Sequence, residues 1–264
     1  MKDNYKDLNV QQKKSFWKEN QLNGDIDITI DGITPFKMKC NNDDTVVKDL
    51  YWTNFKGWEY TSLIIWNKLS KLNGDIVLDI GSYSGIYSII ASLNNNKIYT
   101  FDIMDACIER VKYNKKLNNL SKINVINKAV SDTTGVVTIH YNEEDGIMSS
   151  ISSLKQTNSH KKTKQIESIK IDDYINDKVG LIKIDVENIE VSVLNSMKKT
   201  IMKYMPDILI EINYKNKLNE IINTIPNDYN IYQIDDINQN ITSDLSKSLG
   251  RNYLLTLKNE NEIL

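Results

Sequence analysis

Residues 77–88 read Val-Leu-Asp-Ile-Gly-Ser-Tyr-Ser-Gly-Ile-Tyr-Ser, an apolar run that ends in an acid, a turn with glycines four apart, and a second apolar run. That order predicts a strand, a tight loop and a helix, which together seat a small ligand at the strand's carboxyl end. Gly81 lets the backbone turn where a side chain would clash, and Gly85 lets the helix lie close to whatever fills the loop. The spacing D-x-G-x-x-x-G departs from the G-x-G-x-x-G of dinucleotide binders. The Asp79 carboxylate suits a cationic group better than a pyrophosphate. S-adenosylmethionine, with an ammonium and no phosphate, therefore fits the turn better than NAD, although D-x-G at a strand end also occurs in α/β proteins with no ligand there.

A second acid supports the ligand reading. Lys97 to Asp102 is another strand ending in a carboxylate, 23 residues after Asp79. In doubly wound folds an acid about 20 residues on, at the tip of the second strand, accepts hydrogen bonds from the ribose hydroxyls. Asp102 is the expected ribose ligand, Asp105 the fallback, and a solvated loop aspartate the alternative. Glu59 precedes the helix that leads into the first strand, where it can reach the amino-acid end of the cosubstrate.

A third segment, Leu181 to Glu190, carries the candidate chemistry. Strand alternation puts Lys183, Asp185 and Glu187 on one side, opposite Ile182, Ile184 and Val186. Three charges ending a buried strand are costly unless they pair or react. The next strand repeats the pattern with Glu211 and Asn213, and on neighbouring strands about 5 Å apart Asp185, Glu211 and Asn213 converge. Such a cluster serves as a general base, a hard-metal site or a salt-bridged network around Lys183. As a base, Asp185 comes first, Glu211 second, with Glu187 next to them and His140 a distant third. As a metal site, the oxygen donors Asp185, Glu211 and Asn213 favour magnesium, manganese or ferrous iron.

Positioning these residues takes an alternating α/β chain. Strand signals fall near Ile76–Ile80, Ile98–Asp102, Asn124–Lys128, Leu181–Val186, Asp207–Ile212, Tyr229–Asp235 and Tyr253–Lys258, with helices near Thr61–Leu69, Ile86–Leu93, Ala106–Leu117, Ile189–Met202 and Lys215–Thr224. This predicts a doubly wound, mainly parallel, seven-stranded Rossmann-like sheet. Residues 1–60 read as an N-terminal extension with a hairpin at Asp25–Ile30 and Thr34–Lys39, and residues 61–264 as the catalytic domain. Tyr51, Trp52, Phe55, Trp58 and Tyr60 crowd the end of the extension, either to stack on a ligand or to pack against the main domain. A β insertion from Gly135 to Tyr174 breaks the rhythm with strands at Val136–Tyr141 and Gln165–Ile171. Its serine-rich run, Ser149–Ser153, is either a polar pocket wall or a linker.

Composition narrows the class. The 264 residues are 40% hydrophobic and carry a formal net charge of -2, with no sequence-wide basic field to hold nucleic acid or an anionic membrane. The two cysteines lie far apart, the start is too polar for a signal peptide, and no apolar run nears 18 residues. A cytoplasmic enzyme with a small-molecule substrate, free to form a homo-oligomer, is the expectation.

The motifs V-L-D-I-G-S-Y-S-G-I-Y-S, T-F-D, I-N-K-A-V-S-D-T-T-G, I-K-I-D-D-Y-I, L-I-K-I-D-V-E-N-I-E-V-S-V-L and P-D-I-L-I-E-I, in this order, resemble the FkbM-type S-adenosylmethionine-dependent methyltransferases from about Glu59 to Asn213. The chain departs from them at Asn188, where the family pattern has glycine, and at Asp102, where glutamate is usual. The resemblance implies a class I methyltransferase fold, cosubstrate contacts at Asp79, Gly81, Ser82, Gly85 and Asp102, and an adenine pocket that includes Ala129. It also implies O-methylation. The expected acceptor is a nucleotide-activated hexose or heptose for surface polysaccharide, with a polyketide-type hydroxyl or a non-catalytic cosubstrate-binding module as alternatives. A nucleotide-dependent oxidoreductase is the rival from another class.

Overall fold

The computed structural model describes residues 5–142, 152–153, 162–246 and 249–263; Ser149–Ile151 of the serine-rich run lie outside them. A 3₁₀ turn leads into α1 (Val10–Glu19), β1 (Asn23–Ile28), β2 (Phe36–Asn41), α2 (Thr45–Trp52) and α3 (Tyr60–Leu72). Next come β3 (Ile76–Ile80), α4 (Ile86–Leu93), β4 (Ile98–Phe101), α5 (Asp105–Leu117), β5 (Ile123–Ile126) and β6 (Ala129–Val130). The insertion holds β7 (Gly135–Tyr141), β8 (Ser152–Ser153) and β9 (Lys162–Ile169), followed by α6 (Ile171–Tyr174). The chain closes with β10 (Val179–Ile184), α7 (Glu190–Ser196), α8 (Lys198–Tyr204), β11 (Asp207–Glu211), α9 (Leu218–Ile222), β12 (Asn230–Asp235), β13 (Asn240–Thr242), β14 (Asn252–Thr256) and α10 (Glu260–Ile263).

One eight-stranded sheet, in the order β13-β12-β14-β11-β10-β3-β4-β5, organises the molecule. From β11 through β10, β3 and β4 to β5 every pairing is parallel. The pairs on the other side of β11 are antiparallel. Strand order reverses between β3 and β10, which opens a crevice beyond their carboxyl ends, the expected ligand position in a doubly wound sheet. All seven strands expected from the sequence are present. The eighth, β13, is a three-residue edge strand too short to leave a periodic signal.

Two apolar layers enclose the sheet. On one face α3 and α4 pack with the N-terminal hairpin, where Phe36, Met38 and Cys40 alternate inward. On the other, α7, α8 and α9 cover Ile182, Ile184, Ile208 and Ile210. The extension thus shares one core with the sheet. The helix expected over Ile189–Met202 is divided at Met197, whose fully buried side chain is drawn into the second core. No helix among the described residues is long and apolar enough to cross a membrane.

Candidate active site

The loop after β3 depends on two acids. Asp79 is buried, and its Oδ2 accepts the Ser88 main-chain N–H at 3.0 Å and the Ser88 hydroxyl at 2.6 Å. Ser88 is the third residue of α4, so Asp79 satisfies one of the open N–H groups of that helix end from a distance. Asp79 therefore lies behind the loop and outside the cavity lining, where the sequence placed it in contact with the cosubstrate. Burial raises its pKa to about 6 against the pull of Ser88 and Lys183.

Gly81 and Gly85 both have positive φ, at 84° and 85°. A Cβ on Gly81 would lie 1.8 Å from the carbonyl oxygen of Asp185. A Cβ on Gly85 would meet the Val111 methyls of α5 at 3.1 and 3.2 Å, so this glycine serves the packing of α4 on α5 and does not line the cavity.

Asp102 ends β4 and lines the cavity. Its Oδ2 accepts the Tyr83 N–H at 2.9 Å and its Oδ1 the Met104 N–H at 2.9 Å. These bonds tie the glycine loop to the second strand. Burial outweighs the Met104, Tyr83 and Ile103 amides and raises the pKa to about 6. Nearby, the Ser82 hydroxyl is buried without a hydrogen-bond partner. An orphaned hydroxyl in a concave wall calls for a ligand.

The cavity measures about 600 Å³ and lies beyond the carboxyl ends of β3, β4, β10 and β11. Glu59, Gly81, Ser82, Asp102, Ala129, Asp185, Glu187 and Glu211 all line it. Asp79, Gly85, Asn213 and His140 do not.

At one end the carboxylates of Glu59, Asp185 and Glu211 bring an oxygen each within 4.8 Å of one another. Parallel pairing of Ile184 with Ile210 sets Asp185 beside Glu211. Glu59 arrives from the start of α3 through a left-handed backbone, φ 42°, and accepts the Tyr87 hydroxyl at 2.5 Å. Asn213, expected as the third donor, has both ends of its amide engaged: its Oδ1 accepts Arg251 Nη1 at 2.8 Å and its Nδ2 donates to Glu187 at 3.2 Å.

Lys183 supplies the cluster's positive charge. Its ammonium is fully buried, 3.4 Å from Asp185 and 4.9 Å from the centre of the Tyr87 ring. Burial opposes that charge, but Asp185, Glu59 and Glu211 together raise its pKa, so it stays protonated. Burial works against Asp185 too, and Lys183 overcomes it, holding the carboxyl below the usual range. Glu211 goes the other way. Burial and the Asp185 charge push it up to about 9, so at neutral pH it keeps its proton and bonds to Asp185. Arg251 Nε, 3.0 Å from Glu211 Oε1, pulls downward, but its side chain is 67% exposed and its charge is screened. One proton shared by two carboxyls leaves one of them ionised, the arrangement a general base needs.

Asn188 has φ 68°, the left-handed conformation that asparagine tolerates in place of glycine. Its side chain takes part in the turn by accepting Lys217 Nζ at 3.1 Å.

Three contributors were missed in the sequence. In α1, Val10, Lys13, Lys14 and Trp17 face the cavity at spacing i, i+3, i+4, i+7; that spacing was legible, but the helix is largely polar. Tyr87 stood within a quoted motif with no role assigned. Arg251 stood out only as one of two arginines among 33 basic residues.

Comparison with known proteins follows this geometry. A family model described as the Methyltransferase FkbM domain matches residues 79–245. A methyltransferase FkbM from Methylobacillus flagellatus is 17% identical, with 80% of this chain and 52% of that one covered and a TM-score of 0.47. The chain thus spans about half the length of that protein. A SAM-dependent methyltransferase from Agrobacterium tumefaciens is 9% identical, with 90% and 71% covered and a TM-score of 0.49. A tRNA (uracil-54, C5)-methyltransferase from Pyrococcus abyssi, in complex with S-adenosyl-L-homocysteine, is 13% identical, with 88% and 43% covered and a TM-score of 0.47. No curated protein matches.

Proposed function

The chain belongs to the FkbM methyltransferase family, and on that premise we propose that it moves a methyl group from S-adenosylmethionine to a hydroxyl of a nucleotide-activated hexose or heptose, with Asp185 as the base. The observation that carries this reading is the junction of the glycine loop with the acidic pair. Asp185 N–H donates to the Ile80 carbonyl at 2.9 Å, and the Asp185 carbonyl presses on Gly81, so base and cosubstrate loop share one wall.

The residues fit the cosubstrate. Asp102 would take the ribose hydroxyls, Ala129 the adenine edge, and Glu59 the ammonium. The Ser82 hydroxyl would gain the partner it lacks. When bound there, S-adenosylmethionine supplies a methyl on positive sulfur, open to in-line attack. A sugar hydroxyl is a poor nucleophile at neutral pH, and Asp185 would take its proton as the carbon–oxygen bond forms and the sulfur–methyl bond breaks, with S-adenosylhomocysteine as the leaving group. Lys183 keeps Asp185 ionised beforehand, and the proton later passes to water. We read residues 1–60 as a cap on the catalytic domain 61–264, on the support of the α1 residues over the cavity.

Asp102→Ala is expected to weaken S-adenosylhomocysteine binding by about 1.5–3 kcal/mol, the range for hydrogen bonds to a charged group. Calorimetry on a folded variant checks it; unchanged affinity removes the ribose assignment. Because Asp102 also holds Tyr83 and Met104, Asp102→Asn, which keeps an acceptor oxygen, should fall between the two.

Methyl transfer to a panel of nucleotide sugars, read by mass spectrometry, tests the reaction itself. One sugar is expected to gain a methyl. Methylation only of polyketide-type hydroxyls or of RNA would overturn the carbohydrate reading, and cosubstrate binding with no methylation of any acceptor would favour a non-catalytic module. The same assay after exhaustive chelation settles the counter-charge. Full activity is expected, because Lys183 already provides it; loss reversed by magnesium, manganese or ferrous iron would put a cation on Glu59, Asp185 and Glu211.

A further inference from the structure

We propose that Arg251 is an acceptor subsite for an anionic oxygen group, a phosphate or a carboxylate, that holds the acceptor over the Asp185–Glu211 pair. The proposal rests on the acceptor reading above and deepens it. Arg251 lies just before β14, and its carbonyl accepts the Ile212 N–H at 2.8 Å, which anchors its backbone to the end of β11. Its Nε is 3.0 Å from Glu211 and its Nη1 donates to Asn213 at 2.8 Å. The ion pair at Nε and the hydrogen bond from Nη1 hold the guanidinium from two sides. Nη2 has no partner among the described residues, and the side chain is 67% exposed where it lines the cavity. A guanidinium held at Nε and Nη1 still presents Nη2, and a group fixed in this way is preorganised to donate to an anionic oxygen.

Two of the neighbouring carboxylates have cations of their own, with Lys183 3.4 Å from Asp185 and Lys217 3.3 Å from Glu190. Residue usage points the same way, since only two of 33 basic residues are arginine. The other, Arg110, makes a two-pronged contact from two separate nitrogens, with Nη1 on the Lys39 carbonyl at 2.8 Å and Nη2 on Asp43 at 2.6 Å. Arg251 also lies outside residues 79–245, the stretch matched by the family model. It is therefore a feature of this chain beyond the matched family domain.

The test titrates inorganic pyrophosphate and, separately, glucuronate into the full chain saturated with S-adenosylhomocysteine, by calorimetry at physiological ionic strength. At least one probe is expected to bind, and Arg251→Gln to weaken it by about tenfold or more, with S-adenosylhomocysteine affinity held within about twofold of wild type. Preference for pyrophosphate identifies a phosphate acceptor, and preference for glucuronate a uronate-type carboxylate. Arg251→Lys keeps the charge but cannot hold Glu211, Asn213 and the anion at once, so it should lose most of the same affinity; it carries the comparison if the glutamine variant does not fold. Equal probe affinity in wild type and variant, or no binding of either probe to wild type, overturns the subsite. Pyrophosphate bound through Arg251 alongside a failed sugar screen would remove the carbohydrate and keep the anion seat.

Discussion

Asp185→Asn is expected to lower turnover by about 10²-fold or more, the usual contribution of a positioned base, while S-adenosylhomocysteine affinity stays within about twofold of wild type. The amide nearly preserves the shape of the side chain and can still accept the Glu211 hydrogen bond, but it cannot take a proton. It also leaves the buried Lys183 ammonium without the carboxylate 3.4 Å away, so some loss of stability accompanies the kinetic effect. A melting curve separates the two contributions, and single-turnover rates at saturating cosubstrate isolate the chemical step. Turnover within a few-fold of wild type in a folded variant would make Asp185 structural and move the base to Glu211 or Glu187. Of these, Glu187 is already engaged, because its carboxylate accepts the Asn213 amide.

Gly81→Ala should disable the molecule more broadly. At φ 84° a side chain is strained by about 1–3 kcal/mol. The new methyl would also lie 1.8 Å from main-chain oxygen, which has no rotamer by which to retreat. Relief requires β10 to move away from the loop, at a further 1–3 kcal/mol or so for overpacking. That movement breaks the 2.9 Å bond from Asp185 N–H to Ile80 and displaces the proposed base together with the cosubstrate wall. The expected result is a melting temperature lowered by roughly 5–15 °C for a domain of this size, with S-adenosylhomocysteine binding and methyl transfer both lost. Gly85→Ala is the matched control. Its strain is similar, but the added carbon meets Val111 methyls at 3.1–3.2 Å, which can give way, so its loss of stability should be smaller and its site intact. A Gly81→Ala variant with wild-type melting and affinity would show that the close approach to Asp185 is dispensable.

The chain's own pattern determined the parts of this protein that are local or periodic. Val77 to Ser88 predicts a strand, a glycine loop and a helix, and the structure has Ile76–Ile80 and Ile86–Leu93 around two glycines of positive φ. Alternation over Leu181–Glu187 and Asp207–Asn213 puts Lys183, Asp185 and Glu211 on one side of neighbouring strands, because side chains on a strand repeat every two residues whatever surrounds them. Tertiary structure decided which groups those side chains meet. Asp79 and Gly85 carry motif positions that read as ligand contacts, yet one caps α4 through Ser88 and the other makes room for Val111. The direction of a side chain at a turn depends on what packs behind it. Asn213 shares the face of Glu211, but its side-chain oxygen is taken by Arg251, which is 38 residues later in sequence. Glu59 joins the cluster from the far earlier start of α3, through its own left-handed backbone and the hydroxyl of Tyr87. The ionisation of the acidic pair was the least legible of all. Asp185 and Glu211 are both carboxyls on adjacent strand ends, and only a buried ammonium beside the first and burial around the second leave one ionised and the other protonated, since desolvation and charge separation exist only once the chain has folded.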